Sequence, residues 1–499
     1  MARSRGPVDA GHAHYKWWAL SCTSVGMLLA TLNSGTLIIA LPDLERSLHT
    51  SLLSLVWVIL AYMISSTVLV ISAGRLSDLF GRKRAYVLGF LIFTVASLGA
   101  GFAADGTQLI LWRILQGVGG AFLFANSSAI VTDAFPREEL GLAMGTNTMV
   151  AAVGLVLGPV LGGALVAISW HWVFWFNVPL GIFASLWAMW VLRDLARTDQ
   201  TRGLDVLGTS LFVTGLTGLV LAISKGGLSG WSNTVVIAGF AAAAVLLPAF
   251  VLVELRSRSP MLDLSIFQNR LFAAATGAAF INGLSRFALM FVFVFYFQGA
   301  QGDDPITAGI KLAPMALGML VSSPVAGIWA DRHGSRMLSA LGMVVTAAGL
   351  AAMTTLQQNS PYWQSATWLA LVGIGSGMFN SPNTAAMMGT VPAARRGIAA
   401  GTRVMVQNTG AVISIAFVMA VVAASIPKDV LFKIFSGLTK GLSDAQLAPF
   451  IHNMHVALWT LAVVSMIGAA VSMMRPAHVG VAAEEAERVR EPEPEPVLS

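Results

Sequence analysis

The sequence predicts an all-α membrane protein: fourteen transmembrane helices, arranged as two six-helix bundles with two extra helices inserted between them. Three observations carry that expectation. Of the 499 residues, 56% are hydrophobic and only 11% charged, and mean hydropathy is +0.75, far from soluble domains. The apolar residues come in unbroken runs of roughly 20, the length that crosses a hydrocarbon core of about 30 Å as a helix. Finally, GRLSDLFGRKR at 74–84 is echoed by GIWADRHGSRM at 327–337, with Gly-x3-Asp-x2-Gly in register. Each copy follows the second apolar run of a six-run block, so the chain reads as a duplication.

In order, the runs fall near 17–41, 54–73, 85–104, 108–132, 142–168, 173–192, 205–223, 234–253, 272–298, 308–330, 337–357, 366–390, 398–424 and 454–474. Six precede Arg193 and six follow Arg270. Glycine and proline within them are compatible with helices, because neighbouring helices re-satisfy freed backbone groups in lipid. The expected organisation is an N-terminal segment 1–16, a first bundle 17–193, a linker 194–270 holding the two extra helices, and a second bundle 271–475 with an external insert at 425–453. Within that insert Val430, Leu431, Ile434, Phe435 and Leu438 share one helical face, which predicts a short amphipathic helix on the outer surface. The tail 476–499 is rich in Pro and Glu and is expected to be disordered.

A net charge of +6 raises the question of nucleic acid. The distribution of the charges answers it. With the N-terminus inside, 21 of the 30 Lys and Arg fall in cytoplasmic segments and five in external loops: Arg46, Lys225, Lys428, Lys433 and Lys440. That asymmetry predicts cytoplasmic termini; the expected location is a bacterial or archaeal plasma membrane. No basic run interleaved with aromatics suggests nucleic acid. The first run is too long for a signal-peptide core. Cys22 is the only cysteine, which excludes an intramolecular disulfide and a thiolate metal cluster. Metalloprotease, nucleophile-elbow, Walker and dinucleotide sequences are all missing, so no enzyme activity, cofactor or direct ATP drive is expected.

These residues resemble the major facilitator superfamily. Gly74, Asp78, Gly81, Arg82, Lys83 and Arg84 match its loop motif; Arg113, Gln116, Gly117 and Gly120 look like its second motif. Gly154, Gly158, Pro159, Gly162 and Gly163 resemble the motif of its exporters. WHWVFWFNVPLG (170–181) and FNSPNTAAMMGTVP (379–392) look like the fourteen-helix drug:proton antiporters of the EmrB/QacA type. The resemblance implies a major facilitator fold, alternating access, a monomer working with membrane lipids, and export driven by the proton gradient.

Each motif also has its own chemistry. Gly74 and Gly81 permit close approach and a sharp turn. Asp78, Arg82 and Arg84 can pair with helix ends and opposite charges, and Asp133 is the nearest partner for Arg82, a pairing the resemblance also implies. With Asp331 and Arg332 in the second copy, these residues are expected to latch the bundles on the cytoplasmic side. The alternative is a plain loop whose cations only set topology. Arg113 must face protein or a wet cavity, with Gln116 one turn on sharing its face. Gly154, Gly158 and Gly162 form one smooth face, bent by Pro159; the resemblance alone adds the direction of export.

The 24 Asp and Glu all fall at helix ends, loops or tails. Many members of the resembled family carry an aspartate in span 1, where LNSGTLIIALP has Asn33, which takes up no proton. Arg113, Arg286 and Arg403, with Gln407, leave the expected cavity net positive, and Asn380 adds an amide at the bundle interface. Neutral or anionic amphiphiles are therefore favoured over lipophilic cations. Proton coupling is left to Asp133, the substrate, or a histidine such as His171 or His455. The crowded aromatics of span 9 fit a ligand wall or a lipid-facing belt equally. The alternatives are a lipid flippase or facilitator without obligatory coupling and, from another class, a non-transporting membrane sensor.

Overall fold

The structure is a computed structural model that describes residues 14–135, 140–193, 205–257, 260, 262, 264–391, 396–424, 426–435 and 443–475. The expected disordered tail lies outside the described residues. The first bundle comprises α1 (Tyr15–Leu48), α2 (Leu52–Phe80), α3 (Arg82–Ala100), α4 (Gly106–Ala134) and α5 (Leu140–Ile168), followed by a helix broken into α6 (Trp172–Trp175) and α7 (Asn177–Val191). Next come α8 (Val206–Ser229) and α9 (Thr234–Arg256). The second bundle holds α10 (Arg270–Val294), α11 (Pro305–His333), α12 (Ser335–Met353), α13 (Tyr362–Gly389), α14 (Arg396–Ala423), the short α15 (Lys428–Phe435) and α16 (Asp444–Met473).

The duplication is visible in the packing. α1 packs on α5, α2 on α4, and α3 on α4 and α7; in the second bundle α10 packs on α14, α11 on α13, and α12 on α13 and α16. The bundles meet crosswise, α5 against α11 and α2 against α14. The inserted α8 and α9 pack on each other, and α8 lies against both α2 and α14, so the insertion covers one of the two seams.

Local chemistry sets the helix ends. Asp105 opens α4 by accepting the Gln108 amide at 2.8 Å. Asp304 opens α11 by accepting the Ile306 and Thr307 amides, with Pro305 at the first position. Ser443 and Gln446 form a capping box on α16. At the opposite end of the molecule the two charged loops are tight joints: Gly81 (φ 97°) separates α2 from α3, and Gly334 (φ 85°) separates α11 from α12. Both sit in backbone that side chains rarely adopt. The first end is called here the far end and the second, with its Arg and Lys loops, the basic end.

Apolar residues face outward as well as inward. Leu88, Leu91, Val95 and Leu98 make an exposed stripe along α3, as a lipid-facing helix requires. One apolar cluster draws on both bundles, joining Leu37–Leu44 and Leu55–Leu60 to Leu289–Ala300 and Ile415–Ile434 at the far end and continuing toward the basic end through Val68, Ile71, Phe212, Phe250, Leu262 and Met405. Every other cluster among the described residues stays within one bundle and its flanks.

Several expectations need correction. Twelve helices, not fourteen, are long and apolar enough to cross a membrane among the described residues. α5 (Leu140–Ile168) carries no charged residue, but only in its Leu157–Ile168 stretch do all side chains lie within the described residues; α13, although helical, is diluted by Ser376, Asn380 and Asn383. α1 runs past its expected end through Pro42 to Leu48, which carries Asp43, Glu45 and Arg46 into the helix. α15 forms where an amphipathic helix was expected, but Val430, Leu431 and Ile434 are buried against α1 and the end of α10. It plugs the far end instead of lying on a surface. Phe435's side chain and Leu438 lie outside the described residues. The span-9 aromatics are buried too, Phe291 to Phe297 at 5% exposure or less, which excludes a lipid belt; there α10 widens into a π turn, Phe295–Ala300.

Candidate functional site

Arg113 sits two turns inside the far end of the α4 span, 1% exposed, so it does not snorkel. An arginine at a helix centre costs about 2.5–3.5 kcal/mol on insertion scales, and here fixed acceptors offset that. Its Nε donates to the Val58 carbonyl at 2.9 Å, and NH1 donates to Asn33 Oδ1 at 3.4 Å and to Gln116 Oε1. The guanidinium lies 4.4 Å from the Tyr62 ring centroid. Gln116 in turn donates to Asn33 Oδ1 (3.2 Å) and Ser97 Oγ (2.7 Å), and Asn177 Nδ2 reaches the same Asn33 oxygen at 3.5 Å. The network ties together α1, α2, α3, α4 and α7. Gly117 and Gly120 let α4 approach the Tyr62 turn of α2, where a Cβ on Gly117 would stand 2.7 Å from the Tyr62 carbonyl.

The second bundle holds a looser polar strip. Gln407 Nε2 donates to Asn380 Oδ1 (3.1 Å) and Asn282 Oδ1 (3.4 Å), and Arg403 NH1 donates to Gln407 Oε1 (3.0 Å). Arg286, mid-way along α10, is 6% exposed. It lies 4.5 Å from the Phe287 ring centroid, and its buried Nε has no acceptor.

At the basic end Arg82 NH1 bonds Asp133 Oδ2 at 2.5 Å and the Ala129 carbonyl at 3.0 Å, which fastens the α2–α3 joint to α4. This pair lies within the first bundle. Lys83 donates to the Met189 carbonyl, and Arg84 is exposed. Gly74 is not at the turn: a Cβ there would meet only Ala125 Cβ, at 3.8 Å. The side chains of Asp78, Asp331 and Arg332 lie outside the described residues. On the other side of the joint, α2 reaches the insertion through Ser72 and Thr209 (3.2 Å) and through Arg75, which donates to the Pro260 carbonyl.

The glycine helix divides its work. Gly154, Gly158 and Gly162 pack on α1, where a Cβ on Gly158 would stand 2.8 Å from the Gly35 Cα. Gly163 instead faces the other bundle, 2.6 Å from the Ile306 Cα by the same measure, and the Pro159 carbonyl would be 2.3 Å from a Cβ on Gly309. Of the two histidines considered, His171 pairs with Ser169 Oγ (2.7 Å) and stacks on Trp170, while burial pushes its pKa below the ordinary value. His455 is engaged with the Leu356 carbonyl at 2.7 Å.

Three buried groups escaped the sequence reading. Glu45 is fully buried, hidden because the first run seemed to end before it. Asn177, fully buried, reads in sequence as part of an aromatic stretch. Arg475, 1% exposed, donates to Ser339 Oγ, Asn383 Oδ1 and Ser472 Oγ and locks α12, α13 and α16 together. It looked like an ordinary flanking cation. The Asn383 facing it, in SPN, was the available signal.

Residues 23–256 and 275–495 match the family model described as Major Facilitator Superfamily. The "Tetracenomycin C resistance and export protein" of Streptomyces glaucescens is 30% identical over 83% of this chain and 77% of its own length. The "Riboflavin transporter RibZ" of Clostridioides difficile is 29% identical over 84% of this chain and 91% of its own length. A solved bacterial homologue of the human lysosomal transporter Spinster, in an inward-facing and unoccupied conformation, superposes with TM-score 0.66 at 15% identity, covering 93% of this chain and 98% of that one, a likeness of fold. The chain thus belongs to the Major Facilitator Superfamily and is a multi-pass membrane transporter, not an enzyme.

Proposed function

We propose that this transporter exports amphiphilic small molecules by alternating access, as a proton antiporter of the fourteen-helix type. The observation that carries the reading is the division of the apolar core. The bundles share one cluster, fullest at the far end and continuing along α2 and α14 beside the inserted pair as far as Ile71 and Met405, while the other clusters toward the basic end stay within single bundles. Such a molecule is sealed on one side and has a core that can part on the other. The excess of Lys and Arg at the basic end supports a cytoplasmic placement of that side and of both termini, and the membrane in this reading is a bacterial or archaeal plasma membrane. The inserted pair α8–α9, together with α5 and α13, supports fourteen spans, and one chain, divided at 17–193, 194–270 and 271–475, is the working unit. Relatives named for tetracenomycin C export and riboflavin transport support small-molecule cargo.

Protons, in this reading, act at the Arg82–Asp133 joint, since Asn33 carries no titratable group. The same asparagine favours a second reading, a facilitator without obligatory coupling. Purified protein in liposomes with an imposed pH gradient and a trapped pH dye separates them, using cationic, neutral and anionic amphiphiles. Antiport predicts substrate-triggered proton flux that Asp133→Asn loses. Substrate movement without proton flux means a facilitator, and no movement of any compound overturns both.

A further inference from the structure

We propose that Arg286 is an anion-recognition residue, and that the preferred cargo carries a carboxylate or comparably acidic group that docks on its guanidinium. This inference rests on the transporter reading above. Among the described residues Arg286 makes neither a hydrogen bond nor an ion pair, although it is 6% exposed and its Nε is buried without an acceptor. Its one contact among the described residues is the face of Phe287, 4.5 Å away, which holds the flat guanidinium without using a single N–H.

Three other arginines of the interior differ in having hydrogen-bonded guanidinium nitrogens, although Arg403 and Arg475 also leave their Nε without an acceptor. Arg113 is engaged by a carbonyl and two amide oxygens, Arg475 by two hydroxyls and an amide, and Arg403 reaches Gln407. An arginine has five N–H donors in a fork shaped for carboxylate or phosphate. A membrane-buried fork with nothing on it awaits an acceptor from outside the chain.

The duplication independently marks the position. The offset between the repeated loops is 253 (327 − 74), and the same offset carries Asn33 of α1 onto Arg286 of α10 (286 − 33). Both helices hold equivalent places in their bundles. One mate, Asn33, is bound into the Arg113 network, and the other is left open. Asn282, one turn from Arg286 on the same helix face, continues the surface into the Gln407, Asn380 and Arg403 strip, so an acid on Arg286 has amides beside it for its neutral polar groups.

The test uses a panel of aromatic carboxylic acids of one to four rings, each with its methyl ester, on the full-length purified protein. Binding is read by tryptophan quenching and by ligand-induced thermal stabilisation. At least one acid is expected to bind the wild type ten-fold or more tighter than its ester. Arg286→Gln is expected to abolish that preference and Arg286→Lys to retain part of it. Ligand-free Arg286→Gln is expected to unfold at the wild-type temperature or above, because it removes an unsatisfied charge; a large fall would instead make Arg286 structural and overturn the proposal. Lack of acid preference across the panel, or its persistence in Arg286→Gln, also overturns it. Transport of the esters in liposomes is followed in parallel. Ester transport without acid preference sinks this inference alone, whereas no transport of any compound sinks the exporter reading.

Discussion

Arg113 and Arg286 carry the same charge in the membrane interior and meet opposite fates. Arg113 has a carbonyl, two amide oxygens and an aromatic face, so its worth is structural: it joins α1, α2 and α4. Arg113→Leu strands the Gln116 Oε1 in a dry site and removes one of three donors from Asn33 Oδ1; it is expected to destabilise the protein by about 1–3 kcal/mol, measured as thermal unfolding in detergent. Arg113→Lys is not expected to restore stability, because an ammonium cannot span the same acceptors. His171 supplies a pH dependence. Burial holds its folded pKa below the ordinary 6.5, so on acidification the unfolded chain takes up the proton first. The stability this ring contributes is whole above 6.5 and declines as pH falls through that value toward the lower folded pKa. The unfolding temperature should therefore drop less between pH 7.5 and 5 in His171→Gln than in wild type; equal drops would show that the ring has no part in it.

Helix-to-helix distance decides which glycines matter. Gly158 crosses Gly35 backbone to backbone, and an added methyl at either position meets a main-chain carbon inside 3.0 Å. Gly158→Ala is expected to cost about 1–3 kcal/mol through overpacking. Gly74 belongs to the same kind of motif by sequence, yet it lies within α2, where an added Cβ would make only an ordinary contact, 3.8 Å from Ala125 Cβ. Gly74→Ala is expected to be neutral or to stabilise by up to about 1 kcal/mol, since alanine is the better helix former. Unfolding curves of the two variants side by side check both; a Gly74→Ala protein as unstable as Gly158→Ala would mean that α2 and α4 pack more closely than described.

Across the whole molecule, the two seams between bundles are unequal. α8 and α9 cover the α2–α14 seam, whereas α5 and α11 meet directly, backbone against backbone, at Gly163–Ile306 and Pro159–Gly309. A rocking motion that parts the far end must separate Gly163 from Ile306. Gly163→Val is therefore expected to disfavour the sealed far end and shift the population toward a state open there. Spin labels at the far ends of α5 and α11, in a Cys22→Ser background, should report a longer mean distance in the variant. An unchanged distance distribution, with the protein folded, would remove this seam from the moving parts.

The sequence by itself determined the helical membrane class, the duplication, the two-helix insertion and a part of the polar interior, Asn33, Arg113, Gln116, Arg286 and Gln407 among it. Those signals are local: run length, composition, and a motif repeated at a fixed offset. It also named Arg82 and Asp133 as a pair, because both fall at the cytoplasmic ends of their spans and the family resemblance implies the pairing. Only the tertiary structure decided which arginine is satisfied and which is open, which glycine serves α1 and which serves α11, and that α15 plugs the far end with its apolar face turned inward. Each of these depends on the register and crossing of segments that lie tens to hundreds of residues apart. A helix's own periodicity says which residues share a face; it cannot say what that face meets.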